Sequence, residues 1–180
     1  MKRIIVEGPD GSGKSTLMEH LAINYGSRVA WIAGFKHQYE EPNYVKWLTY
    51  QMTREDNGLI PMHDRLFYSE LVYQPIFRPE DMVIPGIFAD SVKEILRREA
   101  FLIYCHVPYD QLVKYATNKE QMPGVMDNLR KIYQGYQNVM AEEAPHYMKL
   151  RHYAAYDFTR GDVEWNRLNN YLGLYLDGLL

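Results

Sequence analysis

The sequence predicts an α/β fold, a single domain over residues 1–180 built as a three-layer sandwich with a central parallel five-stranded sheet and helices on both faces. Three observations carry that prediction. Short β-branched or aromatic runs alternate with stretches of helical apolar spacing along the chain, the pattern of a parallel sheet with crossover helices. No internal repeat, low-complexity tract or Gly/Ser linker divides it, and 180 residues suffice for one core. A hydrophobic fraction of 47% with 24% charged residues excludes disordered and coiled-coil classes.

The elements follow in order. Residues 2–7 read as a strand that runs into Gly8-Pro9-Asp10-Gly11, and Lys14 to Tyr25 as a helix, with Leu17, Leu21 and Ala22 at helical spacing. Residues 28–32 are a second strand. A helix over 42–54 carries Val45, Leu48 and Met52 on one face. Residues 59–63 are a weaker strand, because Pro61 lacks the N–H that a central ladder uses. A helix over 66–73 is expected to stop before Pro75, and 87–99 form an amphipathic helix. Phe101 to Val107 is the clearest buried strand. A short helix over 109–117 leads into a polar stretch, 118–124, and then a helix over 125–143 with Leu129, Ile132, Tyr136 and Val139 inward. Residues 153–158 are the last strand, and a helix closes the chain from about Val163. In such sheets ligands sit beyond the carboxyl ends of the strands.

Composition narrows the function. With 20 Lys+Arg against 23 Asp+Glu, the formal charge of −3 argues against a nucleic-acid polymer as partner, so an anionic ligand must be held by a few local cations. Cys105 is the one cysteine, which excludes an intrachain disulfide and a Cys-based zinc site. No window reaches the roughly 18 apolar residues of a membrane span, and the opening apolar run is too short for a signal peptide. A cytoplasmic protein is the expectation. The six histidines show no metal spacing, and His63 and His106 read as packed side chains. Aromatics make up 14% of the chain, and 16 of them are Tyr, whose flat face and polar tip suit half-buried clefts.

Gly8-Pro9-Asp10-Gly11-Ser12-Gly13-Lys14-Ser15-Thr16 fits G-x-x-x-x-G-K-[ST], with the strand before it and the helix after it that a phosphate cradle needs. Gly11 and Gly13 let the backbone approach phosphates, Lys14 neutralises β/γ-phosphate charge, and the Ser15 hydroxyl ligates Mg²⁺. A nucleoside triphosphate such as ATP, with Mg²⁺, is the ligand expected. After the third strand comes His63-Asp64-Arg65. Asp64 can hold Mg²⁺ through water or orient a nucleophile, and Arg65 can fork two N–H bonds onto phosphate oxygens.

These residues bear a family likeness. Glu7-Gly8-x-Asp10-Gly11-x-Gly13-Lys14-Ser15-Thr16, Asp64-Arg65-x-x-x-Ser69 and Val72-Tyr73-Gln74 together resemble the thymidylate kinase group of nucleoside monophosphate kinases, as do Ile103-Tyr104-x-x-Val107-Pro108 and Gly135-Tyr136. The resemblance implies a P-loop kinase fold and ATP- and Mg²⁺-dependent phosphoryl transfer to a deoxynucleoside 5′-monophosphate. It implies Asp10 near the deoxyribose 3′-hydroxyl, Arg65 on the acceptor phosphate and Tyr73 closing the sugar side. Tyr50 and Arg54 have the aromatic-x-x-x-Arg spacing of the family's base contacts, and i, i+4 places them on one helix face. Arg78 is a further cation that reads equally as a phosphate contact or as surface.

The chain also departs from the pattern. Leu66 stands where an aromatic is usual, Glu40-Glu41-Pro42 where the family has Arg-Glu-Pro-Gly-Gly, and Gly11 where some members have Arg. The last departure shifts the catalytic cation to a short lid around 117–124, which offers Lys119, with Arg130 and Lys131 beyond it. Its compactness resembles phage-type members, and the family implies a homodimer. Two alternatives stay open: a deoxynucleoside kinase with Glu41 as base, since Glu41-Pro42 and Trp47 resemble that family's spacing, and a nucleotide-binding module without turnover. The base accepted is undetermined at this level.

Overall fold

The β-branched run at the start of the chain becomes β1 (Arg3–Glu7), and every residue of it is buried because it takes the middle of the sheet. The structure, a computed structural model, describes residues 2–34, 44–54, 56–80 and 86–180. Glu40, Glu41 and Pro42 lie outside the described residues. Around β1 stand β2 (Val29–Ile32), β3 (Ile60–Asp64), β4 (Ala100–Cys105) and β5 (Tyr153–Tyr156), in the order β2-β3-β1-β4-β5. All pairings are parallel, with Val6 opposite both Asp64 and Ile103.

Helices cover both faces. Side chains alternate along β1 and β4, so Ile5, Leu102 and Tyr104 face α2 (Tyr44–Thr53), α3 (Phe67–Phe77), α4 (Gly86–Glu99) and α6 (Val125–Lys149). Ile4, Val6, Phe101 and Ile103 face α1 (Lys14–Tyr25) and α7 (Asp162–Leu176). A smaller cluster seats α5 (Tyr109–Thr117) against Val107 and Leu129. Among the described residues no helix is long and apolar enough to cross a membrane.

Four expectations need correction, each for a physical reason. Pro61, read as weakening its strand, sits in an inner strand paired on both sides. The Ile60 N–H bonds to the Arg28 carbonyl on the β2 side, so strand alternation turns position 61 toward β1, where pairing begins only at Ile4 and Met62. Its missing donor falls where the ladder has not started. Pro75 does not stop α3, which runs to Phe77: Ile76 and Phe77 pack on the core, and the Arg78 N–H closes on the Gln74 carbonyl at 2.8 Å. Likewise α6 passes Pro145 and reaches Lys149, anchored by buried Glu143 and by Tyr147, whose hydroxyl meets that of Tyr68 at 2.8 Å. Finally, α2 buries Tyr44, Leu48 and Gln51, a stripe rotated from Val45-Leu48-Met52, because the Tyr44 hydroxyl reaches the Leu66 carbonyl at 2.7 Å.

Candidate active site

The chain leaves β1 toward β2 on one side and leaves β3 toward β4 on the other, which makes the carboxyl ends of β1 and β3 the switch point of the sheet, where the ligand crevice of such folds lies. Both motifs singled out in the sequence lie at this crevice, Gly8–Thr16 after β1 and Asp64-Arg65 at the end of β3. Gly8 allows the loop to turn off β1 against β4: with φ +147°, a Cβ there would lie 2.3 Å from the Cys105 carbonyl oxygen. Gly11, at φ +84°, packs on α5, where a Cβ would lie 2.8 Å from the Ala116 nitrogen. That contact brings residues 117–124 out beside the loop, and Gly124 at their far end meets the Phe77 ring. Lys119 in this segment is exposed, and Arg130 lies 4.7 Å over the Tyr109 ring.

Lys14, in the first turn of α1, is buried and donates to the Pro9 carbonyl at 2.9 Å. Burial and the nearby Arg65 push its ammonium down to about 8, against the pull of Asp10 and Asp64. Ser12 is fully buried with its hydroxyl unpartnered, while Ser15 and Thr16 face outward. Asp64 is half-buried, and its Oδ1 has no hydrogen-bond partner. Mg²⁺ favours a few hard oxygen ligands with phosphate and water completing its shell. The Ser15 hydroxyl and the Asp64 carboxylate fit that need, and among the described residues no cluster of three His, Cys, Asp or Glu side chains forms a cage of its own.

Arg65 holds the centre. Its guanidinium donates to the Tyr136 hydroxyl at 2.6 Å and to Asp10 Oδ1 at 2.8 Å, reaches Ser69 Oγ at 3.5 Å, and lies 4.9 Å from the Tyr73 ring centre. Tyr73 donates to the other Asp10 oxygen at 2.5 Å. Burial pushes the Asp10 carboxyl up, but Arg65 and Lys14 outweigh it and hold it down at about 2. Asp10, Lys14, Arg65 and Tyr73 thus form one constellation.

Tyr50, Arg54 and Arg78 do not join it. The Tyr44 end of α2 touches Leu66 at the carboxyl end of β3, whereas Gln51 and Met52 accept from Arg3, the first residue of β1. Helix α2 therefore runs down the sheet, and Arg54 lies at the far end, paired with Asp56 and 5.6 Å from the ring of the largely exposed Tyr50. Helical spacing put the two on one face without saying which end of the sheet the face met. Arg78 folds back along α3 to Glu70 at 2.9 Å. His63 is wholly buried, and burial beside Arg3 and Arg54 pushes its imidazole down to about 3.

No protein-family model and no curated protein matches the chain. Solved structures do. The YorR protein of Bacillus subtilis, solved with phosphorylated GDP, superposes with a TM-score of 0.72 at 18% identity, covering 97% of each chain. The fold is that of the P-loop kinases. Deoxyadenosine kinase from M. mycoides, solved with dCMP and dCDP, gives 0.55 at 13% identity over 93% of this chain and 98% of its own. Polyphosphate kinase 2 from Arthrobacter aurescens TC1 gives 0.55 at 15% identity over 99% of this chain and 68% of its own.

Within this P-loop kinase fold the excess of tyrosine finds a use. Rings run in succession from His106 through Tyr104, Tyr136 and Tyr73 to Phe77, with centres 5.5, 6.3, 6.2 and 5.9 Å apart. Two of them, Tyr73 and Tyr136, lie under the Arg65 guanidinium, with ring centres 4.9 and 6.0 Å from it. In the sequence Glu7, Ser69 and Tyr136 stood within the motifs that carry the family resemblance, and Tyr136 on an inward helix stripe as well, but none of the three was given a role at the site. The signal for Glu7 was an acid closing the apolar run Ile4-Ile5-Val6; for Tyr136 a hydroxyl on an inward stripe gave none.

Proposed function

We propose that the protein transfers the γ-phosphoryl group of Mg·ATP to a deoxynucleoside 5′-monophosphate, thymidylate or a related one, and releases the diphosphate. The observation that carries this reading is Arg65, a guanidinium held by Tyr136 and Asp10 in the crevice shared with Lys14. Two cations, one opening α1 after the loop that follows β1 and one just past the end of the neighbouring β3, suit two phosphate-bearing ligands. An anionic acceptor needs no strong base, and a carboxylate held at about 2, as Asp10 is, makes a weak one. In this reading Lys14 binds β/γ-phosphate oxygens after leaving Pro9, Arg65 binds the acceptor phosphate after exchanging Asp10 for it, and Asp10 with Tyr73 meets the sugar. Mg²⁺, when bound, supplies charge neutralisation between the β- and γ-phosphates, and Ser15 and Asp64 would hold it. Lys119 approaches from the 117–124 segment, whose closure excludes water.

A coupled assay with ATP and Mg²⁺ against thymidine, thymidine monophosphate and the other deoxynucleoside monophosphates tests the reading. Turnover of monophosphates is the expected result. Phosphorylation of the nucleoside alone would instead favour a nucleoside kinase with Glu41 as base, and transfer to no acceptor would favour a binding module.

The Lys14 ammonium supplies a pH signature. A triphosphate requires the charged form, which the free protein begins to lose near pH 8. Calorimetry should therefore show ATP affinity unaffected by this group below pH 8, falling about tenfold per pH unit above it, with proton uptake on binding.

A further inference from the structure

Helix α3 begins without a cap of its own. Its N-cap residue is Leu66, which has no side-chain acceptor, and the residue before it, Arg65, has φ +66°, a conformation strained for a residue with a Cβ. Glu7, the last residue of β1, supplies what is missing. It is wholly buried, and its Oε1 accepts from the Ser69 N–H at 3.3 Å, the N3 donor an N-cap side chain would take, and from the Leu66 N–H at 3.0 Å, the donor an acid at N3 takes in a capping box.

Its other oxygen ends a chain. Oε2 accepts from Ser69 Oγ at 2.5 Å and lies 3.5 Å from the Tyr136 hydroxyl, Ser69 Oγ and Tyr136 Oη are 2.7 Å apart, and Arg65 donates to Tyr136 at 2.6 Å. Burial pushes the Glu7 carboxyl up, while Ser69, the Leu66 N–H and Arg65 favour its charged form. A guanidinium only donates and the ionised carboxylate only accepts, so with Glu7 charged the two ends set the direction of both hydroxyls between them: Arg65 to Tyr136 to Ser69 to Glu7. Tyr136 keeps its lone pairs for Arg65 while its proton goes to Ser69 at 2.7 Å, or to Glu7 itself at 3.5 Å. Glu7 also touches the phosphate loop through its peptide bond to Gly8, so one side chain sets the cation of β3 relative to the loop of β1.

We propose that Glu7 is the positioning residue of the acceptor side: it caps α3 from the neighbouring strand and terminates the one-way donor chain that aims Arg65 at the acceptor phosphate. This rests on the reading of Arg65 as the acceptor-phosphate cation. Glutamine at position 7 keeps the shape and breaks the logic. With its NH₂ at the Oε2 position, the chain must reverse and Tyr136 turns its proton toward Arg65; with its NH₂ at the Oε1 position, it faces the Leu66 and Ser69 N–H groups.

The test compares wild type, Glu7→Gln, Tyr136→Phe and the double variant by steady-state kinetics, with the NMR signal of the Arg65 Nε–H in the ligand-free protein as a readout independent of transfer. Glu7→Gln is expected to raise the monophosphate KM about tenfold or more, since small misplacements of a binding cation are felt strongly, and to leave the ATP KM within about twofold. Tyr136→Phe should act in the same direction, and the two should combine to less than the product of their effects. The Arg65 signal should shift in both. Equal changes in the two KM values, independent effects, or a lower Tm with unchanged kinetics would overturn the proposal. If wild type phosphorylates no monophosphate, the proposed function fails while the Arg65 signal still decides the role of Glu7, an unshifted signal overturning it. Should Glu7→Gln not fold, Ser69→Ala interrupts the same chain with the same expectations.

Discussion

Arg65→Ala is expected to lower kcat/KM for the monophosphate by about 10³-fold, the scale on which removal of a charge-stabilising donor is felt, while the ATP KM moves only a few-fold. The asymmetry follows from the two strands, since Arg65 comes directly after β3 and the triphosphate loop after β1. Lysine should restore little. Its ammonium has no planar fork to contact Tyr136 and Asp10 together, and no flat face to lie on the Tyr73 ring. A stability signature accompanies the kinetic one. In the wild type the Asp10 carboxyl is held at about 2, below its ordinary 3.8, so it stabilises the fold above that ordinary value and the contribution fades as pH falls toward 2. Without Arg65 the burial remains and its main counter-charge is gone, which raises the carboxyl. The Tm difference between wild type and variant should be largest near neutral pH and narrow below about pH 4, as thermal melts across pH would show.

Local pattern and spacing decided what could be read in advance. Helix α1 and helix α5 begin and end where the apolar spacing put them, because glycine or proline brackets their starts and nothing tertiary competes. The phosphate loop was legible because its chemistry needs contiguous residues, and Asp64-Arg65 because a strand end is a local feature. Pro75 misled, and the helix expected over 125–143 runs on past Pro145, because packing of Ile76, Phe77 and Tyr147 outweighs one lost backbone bond. Tyr50 and Arg54 were paired rightly on one helical face, as their ring-to-guanidinium contact shows, yet the direction in which α2 crosses the sheet is a tertiary fact. The link from Arg65 through Tyr136 to Glu7 joins residues 71 and 129 positions apart in pairs, a distance over which no periodicity carries information.

Lys14→Met is expected to separate binding from stability in opposite directions. The triphosphate loses the one ammonium buried within its loop, so kcat/KM for ATP should fall about 10²- to 10³-fold and the rise in Tm that ATP gives the wild type should vanish. The ligand-free protein should behave otherwise. Lys14 is buried, its nitrogen has the Pro9 carbonyl as partner, and burial together with Arg65 pulls its ammonium from 10.5 down to about 8. A base whose folded value lies below its unfolded one is charged at a cost at neutral pH, here roughly 3 kcal/mol by the usual conversion. Methionine fills the same space without that charge and gives up one hydrogen bond to a carbonyl, worth about 1 kcal/mol. Melting near pH 7 without nucleotide should therefore find the variant at least as stable as wild type, with the gap closing above pH 8 as wild-type Lys14 sheds its proton. A variant that melts lower at neutral pH would mean that Lys14 holds the loop together. A variant that melts higher and ignores ATP would mean that the loop keeps a desolvated charge because the phosphates need it.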